Sequence, residues 1–322
     1  MDFTLTPDQI QEVGQRVFGI PVDIDFAQRF ALGTFNDTLL VQFFNQPKVV
    51  FRVAPADQTK FFWKQKQLMR REHHIQPYFA NIADLMPTVL LVDFSHQFID
   101  QDYMVQSYVE GDCWEEVYDD LTTAQQNQLW PQFGTILKKI HATTGDRFGW
   151  PYPEKQFSTW AETVYYWLDQ MLLAFKTENL DTTALMRLKT LTQANQAVLD
   201  QITQPRLLHG DLWPFNLLID RSSPEVARIV GVLDADHAWW GDPMADWTMF
   251  IWSNGSGVNM PLEHGAFWDG YGWPEATDTS RYRAQIYAGM HLASLAAEFA
   301  KLGQPDQVQR AQRDLNTVVD AL

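Results

Sequence analysis

The order of the hydrophobic patterns along this chain constrains its fold more than any single residue does. Runs that lean to strand, rich in β-branched and aromatic residues, are concentrated before residue 107. After it, apolar positions recur at the three- and four-residue spacing of helices. In the first third, "DFAQRFALGTFND", "TLLVQFF" and "VVFRVAP" follow one another through tight connections such as "NQPK". "TVLLVDF" and "DYMVQSYV" read as two further strands. A helix precedes them: in "TPDQIQEVGQRVFG", Thr6 is the cap, Pro7 sits in the first turn, Gln9 closes a capping box and Gly19 ends it. A longer helical segment is expected over about Asp57 to Asn81, where charged and apolar residues mix at helical spacing.

Beyond "SYVEG", Thr122 with Gln125 opens a helix whose apolar face includes Leu129, Phe133, Ile136, Leu137 and Ile140. Further helices are expected over 158–177, 181–202, 279–302 and 305–321, interrupted only by one short strand pair around 217–233. Strands first and helices afterwards predict an α+β chain of two lobes. A small antiparallel-sheet lobe would cover 1–106 and a large, mainly helical lobe 107–322, with the boundary near Ser107–Gly111.

Composition narrows the function classes. The one cysteine, Cys113, excludes a disulfide framework or a cysteine metal cluster within one chain. No window is long and apolar enough to span a bilayer, and "MDFTLTPDQ" lacks the basic start and apolar stretch of a signal peptide, so a cytoplasmic protein without membrane attachment is expected. A formal net charge of −16 repels nucleic-acid phosphates and favours cationic or neutral small molecules as partners. Thirteen tryptophans exceed what a core requires, so some are expected to line a pocket.

The chemistry concentrates in "LLHGDLWPFNLLID" and "RIVGVLD". If their apolar runs pair antiparallel across the polar turn "RSSPEVA", the start of the first strand lies beside the end of the second. Asn216 precedes the first strand and Asp234 ends the second, so the two meet at the open end of the hairpin. Asp211 lies on the loop entering that end. Two carboxylates and an amide oxygen there suit Mg²⁺, which prefers oxygen donors and shares phosphate oxygens with its substrates. A carboxylate beside such an ion can take the proton of an attacking hydroxyl, which makes H-x-D-x-x-x-x-N with a later strand-terminal Asp a phosphoryl-transfer layout.

"HGDLWPFNLLI" and "GVLDADHAWWGDPMADW" resemble the catalytic and metal-binding segments of the aminoglycoside phosphotransferase and choline kinase-like superfamily. "HGDLW" also resembles fructosamine kinases. Asp234 is followed by Gly241, Asp242, Pro243 and Asp246 at the family's offsets. The resemblance implies a protein-kinase-like bilobal fold and an ATP- and Mg²⁺-dependent kinase, with GTP in place of ATP as a variant, acting on a hydroxyl of a small molecule. By it, Asp211 is the catalytic base, His209 braces its loop, Asn216 and Asp234 hold Mg²⁺, and Asp246 supports the loop. Gly33 would cover the phosphates, Arg52 would contact them and Glu72 would pair with Arg52. Backbone near Ser107 and Val109 would face adenine. Arginine replaces the lysine that protein kinases carry at position 52; it keeps the charge and adds a bidentate fork. His141, in "LKKIHATTGD", is expected to be structural.

The acceptor pocket is expected beside Asp211, with Trp213, Trp240, Trp268, Asp269 and Asp236 as candidate contacts; Asp236 could equally be a second metal partner. Aromatic faces with carboxylates suit an ammonium-bearing or sugar substrate, leaving aminosugars, ketosamines and amino alcohols open. The competing reading is a catalytically silent nucleotide-binding regulator on the same fold, and the chain retains the base, the metal Asp and the metal Asn that such proteins usually lose. No G-x-x-x-x-G-K-[ST] occurs, and "GSGVNM" at Gly255 lacks the third glycine of a dinucleotide fingerprint and a strand before it. Monomer and homodimer both remain compatible with the sequence.

Overall fold

Thr6 starts the first helix through a reciprocal capping box with Gln9, and Gly19, at φ 70°, closes α1 (Pro7–Phe18) by donating its N–H to Gln15 O. The computed structural model describes residues 5–30, 36–59, 61–247 and 265–322. Behind α1, β1 (Ile24–Arg29), β2 (Asp37–Phe43), β3 (Val49–Val53), β4 (Val89–Asp93) and β5 (Tyr103–Ser107) form one sheet in the order β1-β2-β3-β5-β4. Every neighbouring pair is antiparallel. Leu39, Val41, Phe43, Val49, Phe51 and Val105 bury against Ile10 and Val13 of α1, giving the small lobe its own core. Each such side chain contributes about 1.5–3 kcal/mol of transfer free energy.

The helix expected over 57–81 is instead three pieces: a 3₁₀ turn at Trp63–Gln65, α2 (Leu68–Ile75) and a 3₁₀ stretch over Gln76–Leu85. Gln67 takes a left-handed conformation at φ 56°, which no helix interior accommodates, and Pro77 interrupts the far end. The break leaves Phe61–Gln65, with its 3₁₀ turn, as a separate strap. Packing here does not follow chain order, since Phe62, Ile75, Phe79 and Ile82 bury in the core of the large lobe.

That lobe contains α3 (Thr123–His141), α4 (Trp160–Thr177), α5 (Thr183–Ala194), α6 (Ala197–Asp200), α7 (Gly265–Tyr271), α8 (Asp278–Lys301) and α9 (Pro305–Asp320) among the described residues. The expected single helix over 181–202 is split at Asn195 and Gln196 into α5 and α6. The expectation of one strand pair also needs correction. β6 (Asp112–Cys113) joins β10 (Leu217–Ser223) and β11 (Val226–Val232), while β7 (Phe148–Trp150), β8 (Lys155–Phe157), β9 (Arg206–Leu208) and β12 (Trp239–Gly241) form a separate four-stranded sheet. Strands of two or three residues are too short to show a period, so nothing in the sequence announces them. Three antiparallel sheets, one in the small lobe and two among the helices of the large one, give the α+β, protein-kinase-like bilobal fold. Among the described residues no helix is long and apolar enough to cross a membrane.

Candidate active site

β9 delivers its chain into a turn that only glycine can make. Gly210 sits at φ 80°, and a Cβ there would lie 2.4 Å from the carbonyl oxygen of His237. Asp246 holds the turn from beneath: its carboxylate accepts the N–H of His209 at 2.7 Å and of Gly210 at 2.9 Å. The same carboxylate meets His141 Nε2 at 3.0 Å, and His141 Nδ1 lies 2.8 Å from the Tyr271 hydroxyl. The His209 side chain is fully buried and donates Nε2–H to Leu233 O at 3.0 Å, while its Nδ1 has no partner among the described residues. Burial, outweighing the nearby Asp246, pushes this imidazole down to about 4, so it is a neutral brace between loop and strand.

The hairpin closes the other side. Leu217 pairs with Val232, and Leu233 N–H donates to Asn216 O at 2.9 Å, so Asn216 and Asp234 meet at the open end. Asp234 takes a left-handed conformation, φ 56° and ψ 52°, which turns the chain sharply at that point. Asn216 Nδ2 donates to the Asp211 carbonyl at 2.6 Å and to its carboxylate at 3.1 Å, which leaves the amide oxygen for another partner. Burial first, then the carboxylates of Glu298 and Asp234, raise Asp211 to about 8. That is the metal-free site: a divalent cation bound beside Asp234 would favour the charged carboxylate, the form able to accept a proton.

Arg52 of β3 faces this end from the small lobe. Its Nη1 donates to both Glu72 oxygens, at 2.8 and 2.6 Å, and its Nη2 lies 3.1 Å from Asp234 and 3.9 Å from Asp236. Gln106 Nε2 donates to Glu72 at 3.1 Å and secures the pair. Burial alone would lower the guanidinium, but Glu72, Asp234 and Asp236 hold it above its ordinary value. Burial, with Asp234 and Glu72 nearby, pushes Asp236 well above the usual carboxylate range. Carboxylate oxygens of Glu72, Asp234 and Asp236 lie within 4.8 Å of one another. With the amide oxygen of Asn216, this all-oxygen set fits a hard divalent cation. Asp236 therefore stands with the acids around Arg52.

Of the hinge pair, Ser107 donates its N–H to Thr88 O at 2.8 Å, and its hydroxyl accepts from Thr88 N–H, so its amide is already committed. Val109 makes no backbone hydrogen bond among the described residues and is the hinge position with its amide and carbonyl open. Gly33 and Gly255 lie outside the described residues.

Beside Asp211 opens a cavity of about 570 Å³, between the strap Phe61–Gln65 and α8. Trp63, Trp150, Trp167, Trp213 and Trp239 line it, together with Tyr287, His291 and Glu298 of α8. Trp150 and Trp239 stack at 4.9 Å, and Trp63 meets Trp150 edge-on at 4.4 Å. Lys64 crosses to α8, where its ammonium donates to Glu298 at 2.7 Å and to the Ser294 hydroxyl. Three candidate acceptor contacts lie elsewhere. Trp240 is buried against Tyr78, 5.2 Å away, because strand alternation turns it opposite to Trp239. Trp268, on α7, is buried against Trp247, and Asp269 on the same helix faces outward and accepts from Trp273 Nε1 at 3.3 Å. The lining residues Lys64, His291 and Glu298 escaped notice in the sequence. For His291 and Glu298 a signal was present: Tyr287, His291, Ser294, Glu298 and Lys301 recur at three- and four-residue spacing and share one face of α8.

Residues 27–284 match the family model of the phosphotransferase enzyme family. Among solved structures, a thermostable mutant of aminoglycoside phosphotransferase APH(4)-Ia aligns with a TM-score of 0.69 at 18% identity, covering 97% of this chain and 98% of that one. A mutant of aminoglycoside 2'-phosphotransferase-IIIa in complex with GDP aligns with a TM-score of 0.65 at 16% identity, covering 96% and 97%. Acyl-CoA dehydrogenase family member 10 of Mus musculus is 26% identical over 184 residues, which are 55% of this chain but only 16% of that protein's length.

Proposed function

The chain belongs to the phosphotransferase enzyme family, as a small-molecule kinase, and from that premise we propose that it transfers the γ-phosphoryl group of ATP to a hydroxyl at Asp211. The observation that carries this reading is the convergence of Asp211, Asn216 and Asp234 at one end of the β10–β11 hairpin, opposite Arg52 and Glu72. Asp211 receives the hydroxyl proton as the acceptor oxygen bonds to the γ-phosphorus and the bond from that phosphorus to the β–γ bridging oxygen breaks, releasing ADP. Arg52, fixed by Glu72 and Gln106, presents a guanidinium to the phosphates, and the open amide and carbonyl of Val109 suit the edge of adenine. GTP would be accepted only if those groups also match guanine.

Asn216, Asp234 and Asp236 are the residues that would hold Mg²⁺. Bound there, the ion supplies charge neutralisation for the phosphate oxygens. His209 and Asp246 act on the loop, through the bonds to Leu233 and to two backbone amides. The test is Asp211→Ala, assayed for ADP release with a panel of hydroxyl compounds and for nucleotide binding by calorimetry. Transfer should fall at least ~10³-fold, the order expected when a general base is lost, while ATP affinity changes less than ~3-fold. Transfer within a factor of two of wild type would remove Asp211 from the mechanism.

A further inference from the structure

Arg71 of α2 is only 1% exposed, and it nonetheless lines the cavity beside Asp211. Two backbone carbonyls from separate elements fix its guanidinium: Nε donates to Tyr152 O at 3.0 Å and Nη1 to Lys64 O at 2.8 Å. Among the described residues Nη2 has no acceptor, and no carboxylate forms an ion pair with the group. Carbonyls accept hydrogen bonds but carry no net charge, so this buried cation keeps both its charge and an open donor. Asp236 is the acid whose field reaches it, and that carboxylate belongs to the set around Arg52 and the cation site. Arg71 in turn acts on the imidazole of His237, whose carbonyl lies against Gly210, the residue before Asp211. The open donor thus stands near the turn that carries the proposed base.

Of the other lining cations, Lys64 pairs with Glu298 at 2.7 Å, and Lys301 is engaged by Gln65 and by the Phe61 ring, so neither is an open charge. What Arg71 lacks is an anionic acceptor. An ammonium brings no acceptor to it, and a neutral hydroxyl or amide brings an acceptor without charge. A carboxylate brings both, and hydrogen bonds between two ionised groups are roughly twice as strong as neutral ones. Because two carbonyls already hold the guanidinium, little ordering is lost when an anion docks. Trp63, Trp150 and Trp239, which also line the cavity, give the rest of such a molecule flat apolar faces to lie on. The net charge of −16 does not oppose this, since exposed charges are screened by salt and act mainly on encounter, while contacts inside the cavity decide what stays bound.

We propose that the acceptor is a hydroxy acid, whose carboxylate docks on Arg71 while its hydroxyl meets Asp211. This rests on the reading of the chain as a kinase for small-molecule hydroxyls, and it names the substrate class of that same site. Binding is measured by intrinsic tryptophan fluorescence with Mg²⁺ and ADP present, using two matched pairs of probes: mandelate with mandelamide, and phenyl β-D-glucuronide with phenyl β-D-glucoside. In at least one pair the acid should bind ~10-fold or more tightly than its neutral partner, the gain expected of one added charge-assisted contact. Arg71→Met should bring that ratio to within about a factor of two, and Arg71→Lys, which keeps the charge but loses the fork, should retain ~3-fold. Equal loss of affinity for acid and neutral partner in Arg71→Met would make the residue a brace for the strap and overturn the inference. Equal affinity within both pairs in the wild-type protein would do the same, as would failure of both acids to bind at ~10 mM. The wild-type comparison decides even where Arg71→Met does not fold. None of these readouts needs phosphate transfer, which Asp211→Ala tests separately, so the kinase reading and the acceptor class can fail independently.

Discussion

Asp211, the proposed base, illustrates how a buried carboxyl can cost stability. Its carboxyl rises from an ordinary 3.8 to about 8, through burial first and then through Glu298 and Asp234. The sign of the effect on folding follows from linkage. Between pH 4 and 8 the unfolded chain has released this proton while the folded chain keeps it. The group's contribution is thus complete below pH 4 and is lost as the pH rises toward 8. Asn at this position cannot titrate, so Asp211→Asn should gain Tm over wild type progressively from pH 4 to pH 8, in metal-free protein with EDTA, measured by calorimetry. A constant difference across that range would show that the carboxyl is not strained. At this scale much was readable beforehand: Asn216 and Asp234 could be placed together because a two-strand hairpin has one geometry and their spacing put both at its open end. Lys64 and Glu298 could not, since 234 residues separate partners that meet only after both lobes have folded.

Among elements, the turn between β9 and β10 depends most on one backbone conformation. Gly210 at φ 80° lets the chain pass where an added Cβ would lie only 2.4 Å from His237 O, and Asp246 fixes the result through two amides. Gly210→Ala combines an unfavourable φ with a clash against backbone, so it should cost about 2–4 kcal/mol in urea unfolding. It should also lower kcat more than ATP affinity, because Asp211 follows directly. Unchanged unfolding would mean that the turn relaxes freely. Capping signals made the starts of α1 and α3 legible, because Thr6 and Thr122 each form a reciprocal box with the residue three positions on; Thr159 starts α4 the same way, a signal the sequence reading passed over. The helix expected over 57–81 failed for a physical reason: its periodicity was real over eight residues, but a left-handed Gln67 and a proline at 77 stopped it on both sides.

For the whole molecule, the lobes are joined by more than the hinge strand. The strap reaches across the cavity to α8 through Lys64 with Glu298 and Ser294, and through Lys301 with Gln65. Lys64→Ala should raise the KM for acceptor at least ~5-fold with ATP affinity within a factor of two, and should speed amide exchange in Phe61–Gln65, read by hydrogen–deuterium exchange. Global stability should fall by only ~1–2 kcal/mol, since Glu298 is one-third exposed and water can replace its partner. Order along the chain made the two lobes legible; the strap was not, because its packing is set by the lobe that follows it. One wall of the cavity beside Asp211 is thus encoded in the same stretch of chain as Arg52, the proposed contact to the phosphates. If both proposals hold, grafting the first hundred residues of a relative onto this chain should change nucleotide handling and acceptor choice together.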